Sequence, residues 1–572
     1  MGGREARRVF AIAIGWRSRS RERRFRQAGS HALEQARDHA RAQLLRARIG
    51  ALSVGLGAAL LAVAPVVAAA DELPGGGTLV RVAPAGAEPN GASGEPALSA
   101  DGSVIAFASD ASNFGPEDTN GLRDVYVFDL RSRRAELVST AADGSQANGV
   151  SATPSISADG TVVAFVTAAD NLVPLPPTKK TLVIVRKRGG SPELASRALG
   201  GAAPDGDSFQ PDVSADGRFV AFASAASNLV PGDTNRKTDV FVFDRLSGAL
   251  ERVSVSSSGR QANGNSANPR ISADGRYVCF SSAASNLVPG DRNRVQDVFV
   301  RDRLRRRTER VSVSSSGREQ NAALAPPFAQ VCDISADGRY VVFDSDASNL
   351  ARGDINGRTD VFLRDRKLRR TELVSRTVKD GLGLSDSFNP ALSGDGRTVV
   401  FQSFAENLAP PFGSREHVYV RGIGSGGTAT LDEPTAGPFE EFWRTPLLVQ
   451  PAISSDGRVA AFESRQGVIV PDDRNGVADV FVRSVVPPET RAATPLPKIV
   501  RGAVARIAAD SPDPAADRAL CRLDRRPPYR CPLGRTITLR KLRKGLHRFA
   551  IAAGAPGTLY DRSPLVWRFQ VR

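Results

Sequence analysis

The stretch Ser272-Ala273-Asp274-Gly275-Arg276-Tyr277-Val278-Cys279-Phe280 recurs along the chain with few changes. Its Ser-x-Asp-Gly tetrad returns roughly every 60 residues, and self-similarity at such a period is typical of a repeat architecture. The tetrad aspartates are Asp101, Asp159, Asp216, Asp274, Asp337, Asp395 and Asp456. The phenylalanines six residues after them are Phe107, Phe165, Phe222, Phe280, Phe343, Phe401 and Phe462.

Each repeat contains four short strands. In the fourth repeat they are predicted at 268–272, 277–282, 297–302 and 308–313, with a tight Ala-Asp-Gly turn between the first two. The second strand is apolar or small on both faces, which indicates burial on both sides. Four such strands repeated radially describe a β-propeller blade. We therefore predict an all-β fold with a seven-bladed β-propeller.

The two ends of the repeat region complement each other. The last repeat stops after a third strand at 479–483, and residues 78–82, ahead of the first tetrad, have the pattern of an isolated fourth strand. Together they complete a seventh blade, so we predict that an N-terminal strand closes the ring and leaves no open sheet edge.

The tetrad hairpin followed by Asp-Val-Phe-Val resembles the TolB-like propellers, whose blades carry P-x-x-S-P-D-G-x-x-I-x-F and then D-I-Y-V. The resemblance covers residues 78–484. This chain departs from it in having Ala, Gly or Ser before the tetrad Asp, and in a long loop between the second and third strands. In that family the propeller is mostly a binding platform, so the resemblance implies a fold and says little about chemistry.

The chain begins with a basic leader. Residues 1–50 are rich in arginine, and 51–70 are uncharged, mostly apolar and end in Ala-x-Ala. Residues 1–70 are therefore predicted to be a leader with a secretory signal peptide. The alternative is an uncleaved membrane anchor at 51–70, which is long enough to span a bilayer.

The C-terminal part is a second region. A proline-rich linker is predicted at 485–498, followed by Cys521-Arg522-Leu523-Asp524, by Cys531 and by Leu-x-x-Gly-x-His-x-Phe around His547. This order resembles the small immunoglobulin-like modules of bacterial surface proteins, although Arg525 replaces the usual glycine of one turn. The resemblance implies an immunoglobulin-like β-sandwich over residues 499–572.

Four cysteines in a chain with a secretory leader favour an oxidising compartment. Cys521 and Cys531 lie across a predicted hairpin and are predicted to form a disulfide. Cys279 lies in the second strand of the fourth blade, and Cys332 in the first strand of the fifth. They are expected to be buried free thiols, with a crosslink between adjacent blades as the alternative.

Charge excludes one class of partner. The formal net charge is +16, but the basic residues concentrate in the leader and the C-terminal region. The propeller between them is mildly acidic, so binding of nucleic acid is not expected.

The residues offer little for catalysis. The chain has 4 His, of which His417 alone lies in the repeats, and it has no Gly-x-Ser-x-Gly motif. Carboxylates are numerous, but no glycosidase pair can be singled out. We predict no enzyme, no catalytic residues and no required cofactor.

One chemical motif recurs in the loop before the third strand. Oxygen-bearing side chains at positions i, i+2 and i+6 are typical of the first part of a calcium loop, although the final glutamate of an EF-hand is missing. The alternative, which we favour, is that these side chains form Asx turns and anchor the loop. The candidate residues are Asp118, Asn120, Asp124; Asp233, Asn235, Asp239; Asp291, Asn293, Asp297; Asp354, Asn356, Asp360; and Asp473, Asn475, Asp479.

These observations predict an exported, monomeric, non-enzymatic binding or scaffold protein of the cell envelope, located outside the cell or at its surface. Its partner, an envelope protein or a glycan, is expected on a propeller face, and membrane contact only through residues 51–70 if they are uncleaved. The alternative is a secreted carbohydrate-active enzyme with its site at the channel mouth. A third class, a TolB-like component of an envelope complex, needs a protein partner.

Overall fold

The computed structural model describes residues 79–571, apart from 85–86, 116–117, 323–329, 410–415, 425–426, 433–449, 466–469, 471–472, 486–490, 493–498, 501–504, 511–517, 525–528, 532–535, 540–541 and 555–564. The predicted leader, with its signal or anchor at 51–70, lies outside these residues, as does most of the linker at 485–498. In the part that is described, no helix has the length and apolar character needed to cross a membrane.

Seven four-stranded antiparallel sheets occupy residues 79–484, and we number them 1 to 7 along the chain. The first strands of sheets 1 to 7 are Ser93–Leu98, Ser151–Ile156, Ser208–Val213, Ser266–Ile271, Cys332–Ile334, Ser387–Leu392 and Ala452–Ile453. The second strands are Val104–Ser109, Val162–Thr167, Phe219–Ser224, Tyr277–Ser282, Tyr340–Ser345, Thr398–Ser403 and Val459–Ser464. The third strands are Asp124–Asp129, Leu182–Lys187, Asp239–Asp244, Asp297–Asp302, Asp360–Asp365, His417–Gly422 and Asp479–Ser484. The fourth strands are Arg134–Leu137, Pro192–Leu194, Leu250–Arg252, Arg307–Arg310, Arg370–Leu373, Thr428–Thr430 and, for sheet 7, Leu79–Arg81. A short 3-10 helix, Leu199–Gly201, links sheets 2 and 3.

The second strands form the core, because neighbouring sheets cover both of their faces. All six residues of Val104–Ser109 are buried. Phe222 of the second strand of sheet 3 stacks on Phe241 of the third, with ring centroids 5.8 Å apart. The same stacked pair recurs as Phe107–Tyr126, Phe280–Phe299, Phe343–Phe362, Phe401–Tyr419 and Phe462–Phe481. The predicted all-β propeller fold is confirmed.

The Ser-x-Asp-Gly tetrad is the turn between the first two strands. In sheet 4, Ser272 Oγ donates to Asp274 Oδ1 over 2.7 Å, and the same oxygen accepts the backbone N–H of Arg276. Gly275 has a φ of 70°, which favours glycine. A Cβ atom at Gly275 would also lie 2.1 Å from the ring of Phe219 in sheet 3, so no larger residue fits.

The tetrads also join the sheets to one another. In the first six tetrads the second residue donates its backbone N–H to the carbonyl of the same residue in the next sheet, over 2.8–3.1 Å. The series runs through Ala100, Ala158, Ala215, Ala273, Ala336, Gly394 and Ser455. The backbone N–H of Asp456 then donates to Ala100 at 3.0 Å, so the seven hydrogen bonds form a closed ring.

Sheet 7 contains strands from both ends of the repeat region. Leu79–Arg81 pairs antiparallel with Asp479–Ser484, placing Val80 opposite Val482. The backbone N–H of Ser93 in sheet 1 also donates to the carbonyl of Ala478 over 2.7 Å. The prediction that an N-terminal strand completes the last sheet is confirmed.

The prediction that Cys279 and Cys332 are free thiols is wrong. The two residues form a disulfide that joins the second strand of sheet 4 to the first strand of sheet 5, with Cα atoms 6.5 Å apart. Both side chains are fully buried. They face each other because the first strand of one sheet packs on the second strand of the sheet before it.

The C-terminal region contains two further sheets. One has three strands, Arg491–Ala492, Ala505–Asp510 and Thr536–Leu539. The other has five, Ile499–Val500, Leu565–Val571, Gly545–Gly554, Arg518–Leu523 and Tyr529–Cys531, in that spatial order. The predicted disulfide between Cys521 and Cys531 is confirmed. The immunoglobulin-like module and the domain boundaries stay predictions.

Ring closure by Leu79–Arg81 can be tested by truncation. A chain that begins at Glu88 lacks the fourth strand of sheet 7, which exposes the edge of Asp479–Ser484. We expect a lower thermal midpoint and more light scattering than for a control chain that begins at Thr78. Equal melting curves for the two chains would contradict the closure.

The disulfide between sheets 4 and 5 predicts a stability difference. Replacing Cys279 and Cys332 by alanine removes a crosslink across 53 residues, which loop entropy places at about 4 kcal/mol or less. The control replaces Cys521 and Cys531, which close a shorter loop of 10 residues, and is expected to lose less. Denaturant unfolding measures both losses. Non-reducing peptide maps of the parent chain that lack a 279–332 crosslink would contradict the pairing.

Candidate functional site

The first strands of the seven sheets surround the axis of the propeller. Each contacts the first strands of its two neighbours around the ring. We call the space they enclose the central channel. In five sheets the first strand has a β-bulge residue with a φ of 48–58°, directly before a proline. These residues are Glu95, Thr153, Gln210, Asn268 and Asn389.

The bulges turn polar groups toward the neighbouring sheet. Register shifts between the first and second strands mark these bulges, which re-aim the local side chains and leave backbone groups outside the ladder. Non-glycine residues in the left-handed region are uncommon and strained, and such strain concentrates at functional sites. Sequence reasoning missed these residues; the available signal was the proline that follows each of them.

A side chain from the preceding sheet accepts the backbone N–H of most bulge residues. Thr153 donates to Glu95 Oε2, and Asn268 donates to Gln210 Oε1 over 2.9 Å. Asn389 donates to Asp344 Oδ2 over 3.2 Å. The side chain of Glu463 in sheet 7 accepts the N–H of Glu95. The channel is thus lined by a polar chain of contacts that passes from sheet to sheet, which we call the channel ring.

A charged group lies beside the channel ring. The backbone N–H of Ile271 donates to Asp212 Oδ2, and that of Leu392 donates to Asp333 Oδ2, each over 2.7 Å. Arg270 attracts both aspartates and donates to Gln450. Since Arg270 belongs to sheet 4 and Gln450 precedes the first strand of sheet 7, this hydrogen bond crosses the channel.

Burial weakens the acidity of the channel carboxyls. It raises the pKa of Asp344 and of Glu463 to about 7, and the attraction of Arg123 offsets only part of the effect at Glu463. The pKa of Asp333 is raised to about 6 by burial, against the attraction of Arg270. Burial also raises the pKa of Asp212. Asp344 and Glu463 can therefore exchange protons near neutral pH.

The candidate calcium residues lie elsewhere, where the second strand leads into the third. In each of the five loops the Asn amide donates to the Asp of the third strand, over 2.7–3.0 Å. In sheet 5, for example, Asn356 donates to Asp360 Oδ2, and Ser375 of the segment after the fourth strand donates to Asp360 Oδ1. The five loops lie one in each of sheets 1, 3, 4, 5 and 7, and each bonds locally, so the structure does not collect the fifteen residues into one site.

Burial also dominates the electrostatics of these loops. It raises the pKa of Asp124, Asp291 and Asp479 to about 6, and that of Asp360 to about 7. Repulsion from the second aspartate of the same loop adds to the shift at all four residues. The calcium interpretation of these loops stays a prediction.

Comparison with known proteins gives similarity of structure alone. No family model and no curated protein matches the chain. A TolB protein of Agrobacterium tumefaciens is 16% identical over 62% of this chain and 96% of its own, with a TM-score of 0.33. A puromycin-hydrolyzing peptidase of Mycobacterium tuberculosis is 11% identical over 82% of this chain and 59% of its own, with a TM-score of 0.37. The tricorn protease is 10% identical over 82% of this chain and 49% of its own, with a TM-score of 0.24.

The prediction that the chain is not an enzyme is corrected, because two of these similar structures are peptidases. That prediction depended on missing histidines and a missing serine motif. A fold shared by binding proteins and hydrolases cannot exclude activity, since function depends on the site and not on the fold. At this level of similarity the comparison assigns no reaction to this chain.

The raised pKa of Glu463 predicts a pH dependence of stability. Between its ordinary value of 4.5 and the folded value of about 7, the folded state holds the proton more tightly. Its contribution is therefore complete below pH 4.5 and is lost as the pH rises through 7. We measure the free energy of unfolding in urea at pH 5 and pH 8. The difference between the two pH values should be smaller for Glu463→Gln than for the parent, by about 3 kcal/mol at most.

The control for this experiment is Glu406→Gln, which alters an exposed glutamate in sheet 6. We expect it to keep the pH dependence of the parent chain. An unchanged dependence in Glu463→Gln would show that Glu463 is ionised in the fold.

Proposed function

We propose that the protein is an exported binding protein of the cell envelope whose ligand binds at the channel ring. The observation that carries the proposal is the set of five polar bulge residues around one axis, each with a left-handed backbone. Strain of this kind costs roughly 1–3 kcal/mol for each residue. Backbone strain at five equivalent positions lowers the stability of the fold, and we attribute it to a binding surface.

Export is supported by two features. The leader at 1–70 has the pattern of a secretory signal, and four cysteines form two disulfides, which indicates an oxidising environment. Location outside the cell or at its surface follows if the signal is used. The alternative of an anchor at 51–70 places the same propeller on the membrane surface.

The chemistry of the channel ring favours a polar ligand. Carboxyl, hydroxyl and amide side chains line it, and Arg270 attracts Asp212 and Asp333. A glycan, or a polar segment of an envelope protein, offers the donors and acceptors that such a surface pairs with. Nucleic acid stays excluded from the proposal because the propeller has no excess of basic residues.

A second candidate function is hydrolysis of a glycan at the same channel. The observation that favours it is the raised pKa, about 7, of both Asp344 and Glu463. A carboxyl group that is partly protonated at neutral pH can act as a general acid, and glycosidases require such a group.

Binding assays with the exported protein separate these candidates. Cell-wall glycans and envelope extracts are the probes. Gln210→Ala and Asn389→Ala remove side chains from the channel ring, and we expect each to weaken binding about tenfold, which corresponds to 1.4 kcal/mol. The control Lys367→Ala changes an exposed turn residue of sheet 5 and should bind like the parent.

Release of shortened glycan that is lost in Glu463→Gln or Asp344→Asn would establish the enzyme. Binding without release supports the binding protein. Full affinity in both channel variants would place the ligand elsewhere on the propeller.

A further inference from the structure

In three of the Asp-x-Asn loops, an arginine from the fourth strand of the same sheet lies between the two aspartates. In sheet 3, Arg252 Nη1 lies 3.0 Å from Asp233 Oδ1 and 3.5 Å from Asp239 Oδ2. In sheet 4, Arg310 lies 3.1 and 3.0 Å from the two equivalent aspartates. Arg81 lies 3.7 Å from both aspartates of sheet 7. In these loops the protein itself supplies the positive charge that two buried carboxylates require.

Sheet 5 lacks this arginine, and so does sheet 1, where Leu137 lies opposite Tyr126 but Asp118 is only partly buried. Arg310 of sheet 4 lies opposite Phe299, and the residue in that position of sheet 5, opposite Phe362, is Leu373. Leu373 is buried. The same two aspartates nevertheless remain in the loop of sheet 5, so an apolar side chain stands where a guanidinium stands in three other sheets.

In sheet 5 one carboxylate oxygen has neither an arginine nor a hydrogen-bond partner, whereas Asp360 accepts from Asn356 and Ser375. Asp354 is 5% exposed and Asp360 is fully buried. Asp354 Oδ2 is buried without a hydrogen-bond partner. Arg376 attracts Asp354, but it donates to the carbonyl of Asp380 over 3.1 Å. A buried carboxylate oxygen without a partner lowers the stability of the fold. In the loops of sheets 3 and 4 an arginine lies about 3 Å from the equivalent oxygen.

We propose that the loop of sheet 5 binds a divalent cation of the calcium type, held by Asp354 and Asp360 in the place that arginine occupies in sheets 3, 4 and 7. Calcium takes 6–8 oxygen ligands from carboxylates, carbonyls and water. The carbonyl of Gly383 faces the same loop, where it accepts the amide of Asn356. No cluster of three or more His, Cys, Asp or Glu side chains suited to a metal occurs in the described part of the chain. The remaining ligands are therefore main-chain carbonyls and water.

The alternation between arginine and leucine gives a direct test. Leu373→Arg installs the guanidinium of the other sheets, and Asp354→Asn removes one carboxylate charge. Titration calorimetry of the full chain with calcium chloride, after treatment with EGTA, measures the number of sites. We expect one site fewer in Leu373→Arg, and at least tenfold weaker binding at this site in Asp354→Asn.

The matched control reverses the exchange. Arg310→Leu removes the guanidinium from sheet 4, and we expect it to add one calcium site. Potassium chloride at equal ionic strength should reproduce none of these changes.

Two results would overturn the proposal. One is a parent chain that binds no calcium. The other is an unchanged number of sites in both Leu373→Arg and Asp354→Asn. If Leu373→Arg fails to fold, Asp354→Asn alone decides, because it changes a single atom of the side chain.

Discussion

Seven backbone hydrogen bonds between neighbouring tetrad turns form a closed ring, and the rest of the propeller depends on the spacing they impose. A bond of about 3 Å between successive turns requires each turn to pass close to the sheet before it. The approach is so tight that a Cβ at Gly102 would lie 2.5 Å from Val459. The glycine of each tetrad therefore allows the sheets to come together as well as allowing the turn itself.

Side chains reinforce the same spacing farther out. Arg301 and Arg364 are buried in third strands and donate to the carbonyls of Ser256 and Ser314, which follow the fourth strand of the preceding sheet. These carbonyls also accept the backbone N–H groups of Gly259 and Gly317, so each guanidinium adds a second hydrogen bond, and that bond joins neighbouring sheets. Between sheets 4 and 5 the disulfide of Cys279 and Cys332 adds a covalent link.

The spacing also produces two separate polar regions, the channel ring and the Asp-x-Asn loops. Near the axis the first strands pack closely. The backbone N–H groups of their bulge residues donate to side chains of the preceding sheet, such as Glu95 and Gln210. Farther out, the Asp-x-Asn loops bury carboxylates at the start of the third strands. Acidic groups at both places lose part of their acidity to burial, but only the loops carry a repeated position, Arg310 in sheet 4 and Leu373 in sheet 5, at which the compensating charge varies.

The sequence by itself determined the repeat, the four strands of each sheet, the closing strand at Leu79–Arg81 and the pairing of Cys521 with Cys531. These features depend on patterns within one repeat or one hairpin, which are visible in a single stretch of chain. Only the tertiary structure decided the pairing of Cys279 with Cys332, the channel ring and the exchange of arginine for leucine beside Asp354. Each of these depends on which side chains of separate strands or sheets face one another. In the disulfide and the channel ring, residues 45 to 58 positions apart meet because neighbouring sheets pack together, and no pattern within one repeat records those contacts.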